Sequence, residues 1–454
     1  MTMLPDFINQ LSHALNFNTL IYVVLFAFVF YPVVGGSFWI LGGSFYVFWA
    51  RKKRPVWNDD FEEPFISILI AAHNEEATIE GTLHYLLDTL EYSNYEILVI
   101  NDGSTDSTAE VLVQLANKHE RLRIVTVEKN KGKAHALTVG AMHAKGEFLL
   151  SNDADTFITG DTLKRMAAWM VVDSELAKAD EIGAVTGNPT PVNRSTIVAK
   201  SQFIEFNSIV GLIKQAQTVI GRMFAVSGAN TLYRKSALND VGYFDQGKAT
   251  EDIAIAWNMQ LKGWRVHYDP NVRSYIEVPE TGKELVRQRK RWAQGGIEVF
   301  LTYALTVLRH PFKTFPFIFI FFDQMVSILW AYFFWISMTI SVFYVGYLVI
   351  TGNWERVLHF FVMSGIFVMF EFIVGYLQLT IALLINHGID SLKYMLFASW
   401  YVVIMWMVNP YTILIATPDA VRAVITGGSG TWVSPERMNK DKVNAEATEE
   451  EQTV

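Results

Sequence analysis

Two long stretches of this chain carry almost no charge, and they restrict its possible folds more than any other feature. Leu20 to Ala50 is rich in Phe, Tyr, Val and Leu, and Phe315 to Thr417 is again strongly apolar. Between them, Arg51 to about His310 mixes charged and apolar residues as a water-soluble domain does. A helix crosses the bilayer core with roughly 20 apolar residues. The outer stretches therefore predict membrane segments, with a soluble domain inserted between them. The composition, 51% hydrophobic yet 18% charged over 454 residues, fits that division.

The first stretch, within residues 1–50, is longer than one span and short for two. Pro32, Gly35 and Gly36 interrupt it, so one kinked span or a hairpin both fit. It lacks a basic leading region and a small-residue cleavage site, which reads as a retained anchor. Arg51, Lys52, Lys53 and Arg54 follow it and predict a cytoplasmic location for that end and for the soluble domain. Residues 51–283 form that domain, and 284–312 read as an amphipathic interfacial helix region. Apolar blocks at Phe315–Ile350, Leu358–Ile385 and Leu392–Ile415 predict a C-terminal membrane region over 313–417, with three or four passes. Residues 418–454 read as a polar, partly disordered tail. The net charge of −8 argues against a nucleic-acid partner. With no cysteine in the chain, disulfides and thiolate chemistry are excluded.

Within the soluble domain, apolar β-type runs alternate with helical patterns. Phe65–Ala72, Tyr95–Asn101, Leu122–Val127 and Glu147–Asn152 read as strands, and Ala77–Thr89 and Thr108–Lys118 as helices. Buried strands alternating with helices predict a parallel, doubly wound α/β sheet. Ligands of such sheets bind beyond the carboxyl ends of the strands. The residues there are His73-Asn74-Glu75-Glu76, Asn101-Asp102-Gly103-Ser104 and Asp153-Ala154-Asp155. No Gly-x-Gly-x-x-Gly follows the first strand, which removes the main support for a nicotinamide or flavin site.

Asp153 and Asp155, one residue apart at a strand end, can hold a hard divalent cation together with substrate phosphates. Such a metal neutralises charge on a departing diphosphate; the plain alternative is an exposed acidic turn. Thr250-Glu251-Asp252 opens a helix over Asp252–Leu261, where acidic residues also favour the macrodipole. Beside the upstream aspartates, Glu251 and Asp252 become candidates for the carboxylate that accepts a proton from an attacking hydroxyl. Gln288-Arg289-Lys290-Arg291-Trp292 offers a flat ring for sugar stacking, an amide for hydroxyls and a guanidinium for phosphate. A snorkelling basic belt is the alternative for Arg289 and Lys290. Lys133 could reach a diphosphate or lie in a solvated turn. Ser227 and Gly228 could form a turn near an acceptor sugar or a plain structural turn.

The ordered set Asp102, Asp153/Asp155, Asp252 and Gln288-x-x-Arg291-Trp292 resembles the processive family 2 glycosyltransferases: the cellulose, chitin, hyaluronan and poly-N-acetylglucosamine synthases. The flanking text, Ser227-Gly-Ala-Asn-Thr-Leu-Tyr-Arg, Val241-Gly-Tyr-Phe-Asp and Arg291-Trp-Ala-Gln-Gly-Gly, is similar to the bacterial poly-β-1,6-N-acetylglucosamine synthases of biofilm matrix. The likeness runs from about Phe65 to Phe300. It implies a Rossmann-like GT-A (nucleotide-sugar) domain, UDP-N-acetylglucosamine as donor, Mg²⁺ or Mn²⁺, and inversion at the anomeric carbon. By resemblance, His73, Glu75 and Asp102 face the uridine. Lys133, Asp153 and Arg291 serve the diphosphate, with Asp155 and Asp153 at the metal. Asp252 is the base, with Glu251 beside it. Gln288, Trp292, Ser227 and Gly228 hold the acceptor end of the growing polysaccharide. The resemblance further implies a multi-pass protein of the bacterial plasma membrane, coupling of synthesis to export, and a small membrane accessory subunit.

Two other functions stay open. A non-processive transferase acting on a lipid carrier shares the aspartates but usually lacks Gln-x-x-Arg-Trp. A non-catalytic membrane scaffold would be expected to lose the acidic residues, all of which are present.

Overall fold

The computed structural model of the protein describes residues 17–58, 61–315 and 317–428. Its soluble part is built on one sheet with strand order β3-β2-β1-β4-β7-β6-β8-β5. The strands are β1 (Ile66–Ala72), β2 (Tyr95–Asp102), β3 (Leu122–Val127), β4 (Phe148–Asp153), β5 (Phe157–Ile158), β6 (Ile182–Pro191), β7 (Asn230–Arg234) and β8 (Arg265–Ile276). The first four are parallel, and their carboxyl ends are level: Ala72 pairs with Asn101, and Ala71 with Asp153. That register sets His73, Asp102 and Asp153 along one edge.

β1, β2 and β4 are buried on both faces, as parallel strands between helical layers are, and β3 at the edge is partly exposed. Ile66, Ile68 and Ile70 face Leu83 and Leu86 of α2 (Ile79–Thr89) and Leu112 and Leu115 of α3 (Thr108–Ala116). Leu69, Leu98 and Ile100 face Ala136, Leu137 and Ala141 of α4 (Lys133–His143). Beyond β4 the sheet departs from the all-parallel expectation. β7 runs antiparallel to both β4 and β6, and β5 antiparallel to β8. Burial pattern alone does not encode strand direction; the connections fix it. Between β6 and β7 the chain makes a long helical excursion, α6 (Ile197–Phe206), a π-helical turn (Asn207–Leu212) and α7 (Ile213–Ile220), before returning.

Among the described residues, four helical stretches are long and apolar enough to cross a membrane: Phe28–Phe48, Ile318–Ile350, Trp354–His387 and Ile389–Thr426. The first belongs to one continuous helix, α1 (Phe17–Phe48), which passes through Pro32 without turning back. Residues 1–16 of the expected anchor lie outside the described residues. The block beginning near residue 315 is a single 33-residue helix, α11 (Ile318–Ile350). The separate amphipathic element precedes it as α10 (Gly282–Arg309). Thr281 caps the start of α10: its hydroxyl accepts the Glu284 N–H at 3.4 Å and donates to the Glu284 carboxylate at 2.9 Å. After α12 (Trp354–His387), α13 (Met395–Thr426) carries on past residue 417, through Pro410 and Pro418. The start of the expected tail is therefore helical, and 429–454 lie outside the described residues.

The soluble domain and the apolar helices share packed surfaces. A Cβ on Gly42 of α1 would stand 2.7 Å from the Ala216 Cβ of α7. The side chains of Gln378 and Asn386 of α12 bond Ser208 and Gln215, and Asn386 also bonds the Asn207 carbonyl.

Candidate active site

Asp102 organises the first part of the site. Its buried carboxylate accepts the backbone N–H groups of Lys131 at 3.2 Å and Gly132 at 2.9 Å. These bonds fold the β3–α4 loop back onto the end of β2. Gly132 sits at φ +92°, where side chains are disfavoured. The next residue, Lys133, opens α4 and so points into the site rather than into solvent. Beside Asp102, His73 donates from Nδ1 to the Asp102 carbonyl at 2.9 Å. Glu75 is buried and accepts from the Thr78 hydroxyl at 2.9 Å.

Lys133 Nζ pairs with Asp153 at 2.5 Å and with Glu251 at 3.4 Å, bridging the end of β4 and the start of α9 (Glu251–Leu261). Burial alone would lower its pKa. Asp153, Glu251 and, more distantly, Asp252 outweigh that and hold the ammonium well above the usual lysine range. Lys133 thus sits in an ion-pair cluster rather than in a solvated turn.

The Ser227-Gly228 turn closes over this cluster. Ser227 N–H donates to Thr186 at 2.8 Å, and the Gly228 carbonyl accepts from Ser151 at 3.0 Å. A Cβ on Gly228 would stand 3.2 Å from Lys133 Nζ, 3.5 Å from Glu251 Oε1 and 3.6 Å from Asp252 Oδ2. Glycine there keeps the backbone of the turn close to three charged groups. Desolvation, and then the charge of Glu251, push the Asp252 carboxyl up to about 6; Lys133 and Arg291 oppose the shift. Asp252 is thus poised near neutrality, which suits a group that must take a proton.

Helix α10 carries Arg291, Gln288 and Trp292 at helical spacing on one side. Arg291 is close enough to act on the Asp252 charge. The Gln288 amide oxygen is buried without a hydrogen-bond partner, and Trp292 packs against Phe206 at 6.2 Å between ring centroids. Arg289 behaves differently from both sequence readings. It neither snorkels nor faces a phosphate: it is buried in a 2.6 Å ion pair with Glu205 and lies 4.1 Å over the Trp292 ring. Lys290 pairs with Asp419 of α13 at 2.7 Å.

Asp153 and Asp155 supply hard oxygen donors at the carboxyl end of β4, and the Asp153 side chain is 33% exposed. Among the described residues no group of three or more His, Cys, Asp or Glu side chains converges as a cage. Two such carboxylates are donors of the kind that share a divalent cation with phosphate oxygens and water.

Residues 67–242 match the family described as Glycosyl transferase family 2. A poly-beta-1,6-N-acetyl-D-glucosamine synthase of Staphylococcus epidermidis is 36% identical over 425 residues, spanning 90% of this chain and 98% of the relative. The chain belongs to glycosyl transferase family 2. A synthase of the same name from Staphylococcus aureus (strain COL) is 37% identical over 424 residues, 91% of this chain and 98% of that one. The GT-A α/β domain between apolar helices, expected from the motifs, is the architecture of this glycosyltransferase. Two solved structures are more distant. A mannosyltransferase of Pyrobaculum calidifontis, in complex with GDP-Man and Mn2+, has a TM-score of 0.49 and 19% identity, over 75% of this chain and 98% of that chain. S. aureus TarS 1-349, in complex with UDP-GlcNAc, has a TM-score of 0.38 and 20% identity, over 52% and 66%.

Sequence reasoning missed the side chains that hold these groups: Thr186 and Ser151 beneath the turn, and Glu205 beneath Arg289. Each pairing joins residues far apart in the chain. The Gly295-Gly296 pair after Trp292 was a visible signal, since each glycine inside a helix costs about 1 kcal/mol and calls for a packing reason.

Proposed function

We propose that this glycosyltransferase polymerises N-acetylglucosamine from UDP-N-acetylglucosamine into poly-β-1,6-N-acetylglucosamine, with inversion at the anomeric carbon. The observation that carries the reading is the convergence of Asp252, Glu251 and Lys133 beneath the Gly228 turn, with Arg291 close enough to act on the Asp252 charge. The near-complete overlap with the staphylococcal synthases supports the substrate and product. The acceptor is a hydroxyl of the growing polysaccharide, held by Gln288, Trp292 and the Ser227-Gly228 backbone. Asp252 takes its proton as the hydroxyl oxygen attacks C1 of the donor and UDP departs. Lys133 and Arg291 face the diphosphate, and His73, Glu75 and Asp102 line the uridine end. Asp155 and Asp153 would hold Mg²⁺ or Mn²⁺, which supplies charge neutralisation at the diphosphate when bound. Holding both substrates in line contributes several kcal/mol, about as much as any single chemical group. The catalytic domain lies on the cytoplasmic side of a bacterial plasma membrane, where nucleotide sugars are. Synthesis is coupled to export through the protein's own helices, with a small membrane subunit as partner.

Asp252→Asn should insert and fold normally yet lose polymer synthesis by about a hundred- to ten-thousand-fold. Membranes carrying this variant that still build polymer from radiolabelled UDP-N-acetylglucosamine would remove Asp252 from the role of base.

A further inference from the structure

The segment leading into Asp252 is fastened to α10 at three consecutive residues. Lys248 Nζ donates to the Thr302 hydroxyl at 2.9 Å. Ala249 N–H donates to Glu298 Oε2, also at 2.9 Å. Thr250 lies flat against Gly295, where any Cβ would overlap its side chain. Glu298 is fully buried, and its other oxygen accepts from the Gln294 amide at 2.8 Å. Thr250 is the N-cap residue of α9 but its side chain makes no capping bond, and its buried hydroxyl has no partner among the described residues. The start of α9 is thus located by α10 rather than by its own cap.

We infer that Glu298 and Gly295 are positioning residues that fix the Asp252 carboxylate relative to Arg291 and the Gly228 turn. Neither touches substrate. Glu298 sets the height of the turn by holding the Ala249 N–H, and Gly295 sets its distance by admitting Thr250. Since α10 also carries Gln288, Arg291 and Trp292, one rigid helix gauges both the acceptor platform and the group that deprotonates it. The inference rests on the reading of Asp252 as the base.

The test uses the purified full-length protein in lipid, with UDP-N-acetylglucosamine as donor. Glu298→Ala should lower kcat by about a hundredfold, the effect of a shift near 1 Å, and leave the donor KM within about twofold. Glu298→Gln keeps an oxygen for the Ala249 N–H and should recover most of the loss. Gly295→Ala should likewise lower kcat, and adding Thr250→Gly, which removes the overlapping side chain, should restore it. Lys248→Ala, which cuts the exposed bond between the same segments, should leave kcat unchanged. Normal kcat in Glu298→Ala would overturn the inference. So would a Gly295→Ala defect that Thr250→Gly does not relieve, a readout that stands even where Glu298→Ala fails to fold. If Asp252→Asn is itself active, the reading of the base fails instead, and the two failures are told apart.

Discussion

On the β2–β1–β4 side of the site, Asp102, Lys133 and Asp153 are held by strand ends and one short loop. On the α9–α10 side, Asp252 and Arg291 are held by a long helix that is itself tied to α6 through Glu205 and to the apolar helix α13 through Asp419. The first arrangement is local and depends on backbone register. The second depends on side-chain contacts between distant parts of the chain. On the proposed reading, donor chemistry rests on the sheet, whereas acceptor chemistry rests on the junction of α10 with α6 and α13. Damage to that junction should reach the acceptor side first.

The largest effect should come from breaking the junction. Arg289→Met strands Glu205 in a buried site, which costs about 3–5 kcal/mol when one partner of a buried pair is removed. Thermal unfolding of the protein in detergent should fall accordingly. Burial already raises the Glu205 carboxyl, against the opposing pull of Arg289 and a bond from Tyr401. Without Arg289 it is raised further. An acid whose folded pKa lies above its unfolded value favours folding at low pH, and that advantage is lost as pH rises through the folded pKa. The deficit of Arg289→Met should therefore shrink as pH is lowered; a deficit independent of pH would mean that Glu205 is not the stranded charge.

On the other side, Lys133→Met leaves Asp153 and Glu251 facing each other without their shared cation. Transfer should fall by about a hundredfold, the scale of losing one preorganised electrostatic group. The Arg289–Glu205 pair should be untouched, and because the Asp153 side chain is 33% exposed the loss of stability should be smaller than that of Arg289→Met. A variant that lost both activity and the junction would erase the distinction between the halves.

A smaller and reversible effect should come from pH. With the Asp252 carboxyl near 6, the ionised base is depleted as pH falls through that value. The transfer rate should drop about tenfold for each unit below it, as for a single required base. A rate that stays flat from pH 7 to about pH 5 would count against Asp252 as that base.

The smallest effect belongs to the partly exposed pair Lys290–Asp419. Exposed pairs contribute about 0–1 kcal/mol, so Lys290→Ala should barely move the unfolding temperature. A loss comparable to that of Arg289→Met would show that the junction is held at its rim rather than at its buried centre.

How legible each half was in the sequence follows the same contrast. Asp102, Asp153 and Asp155 stand immediately after apolar β-runs, and strand ends face the ligand in such sheets. Reading along the chain was enough to find them. Asp252 and Gln288-x-x-Arg291-Trp292 were legible as motifs, but their support was not. The partner of Arg289 is Glu205, and the partner of the Ala249 N–H is Glu298. A single sequence does not encode which distant residues meet. The antiparallel entry of β7 escaped for a related reason, because a strand buried on both faces reads the same in either direction. The kink offered by Pro32 was open between a bend and a hairpin until packing partners were seen. A continuous helix resolves it, since neighbouring helices can accommodate a proline.

The close seat of α1 on the catalytic domain has a consequence for how the protein can be dissected. Gly42 and Gly43 bring the α1 backbone onto Ala216 and Leu212, leaving no room for even one methyl group at either glycine. The anchor and the enzyme are thus not modules joined by a tether: they form a single interlocked body. Cutting the chain after residue 50 would bare an apolar furrow over α7 and the π-helical turn. A soluble fragment made that way would carry its own aggregation site, so the smallest honest unit for biochemistry includes the first helix.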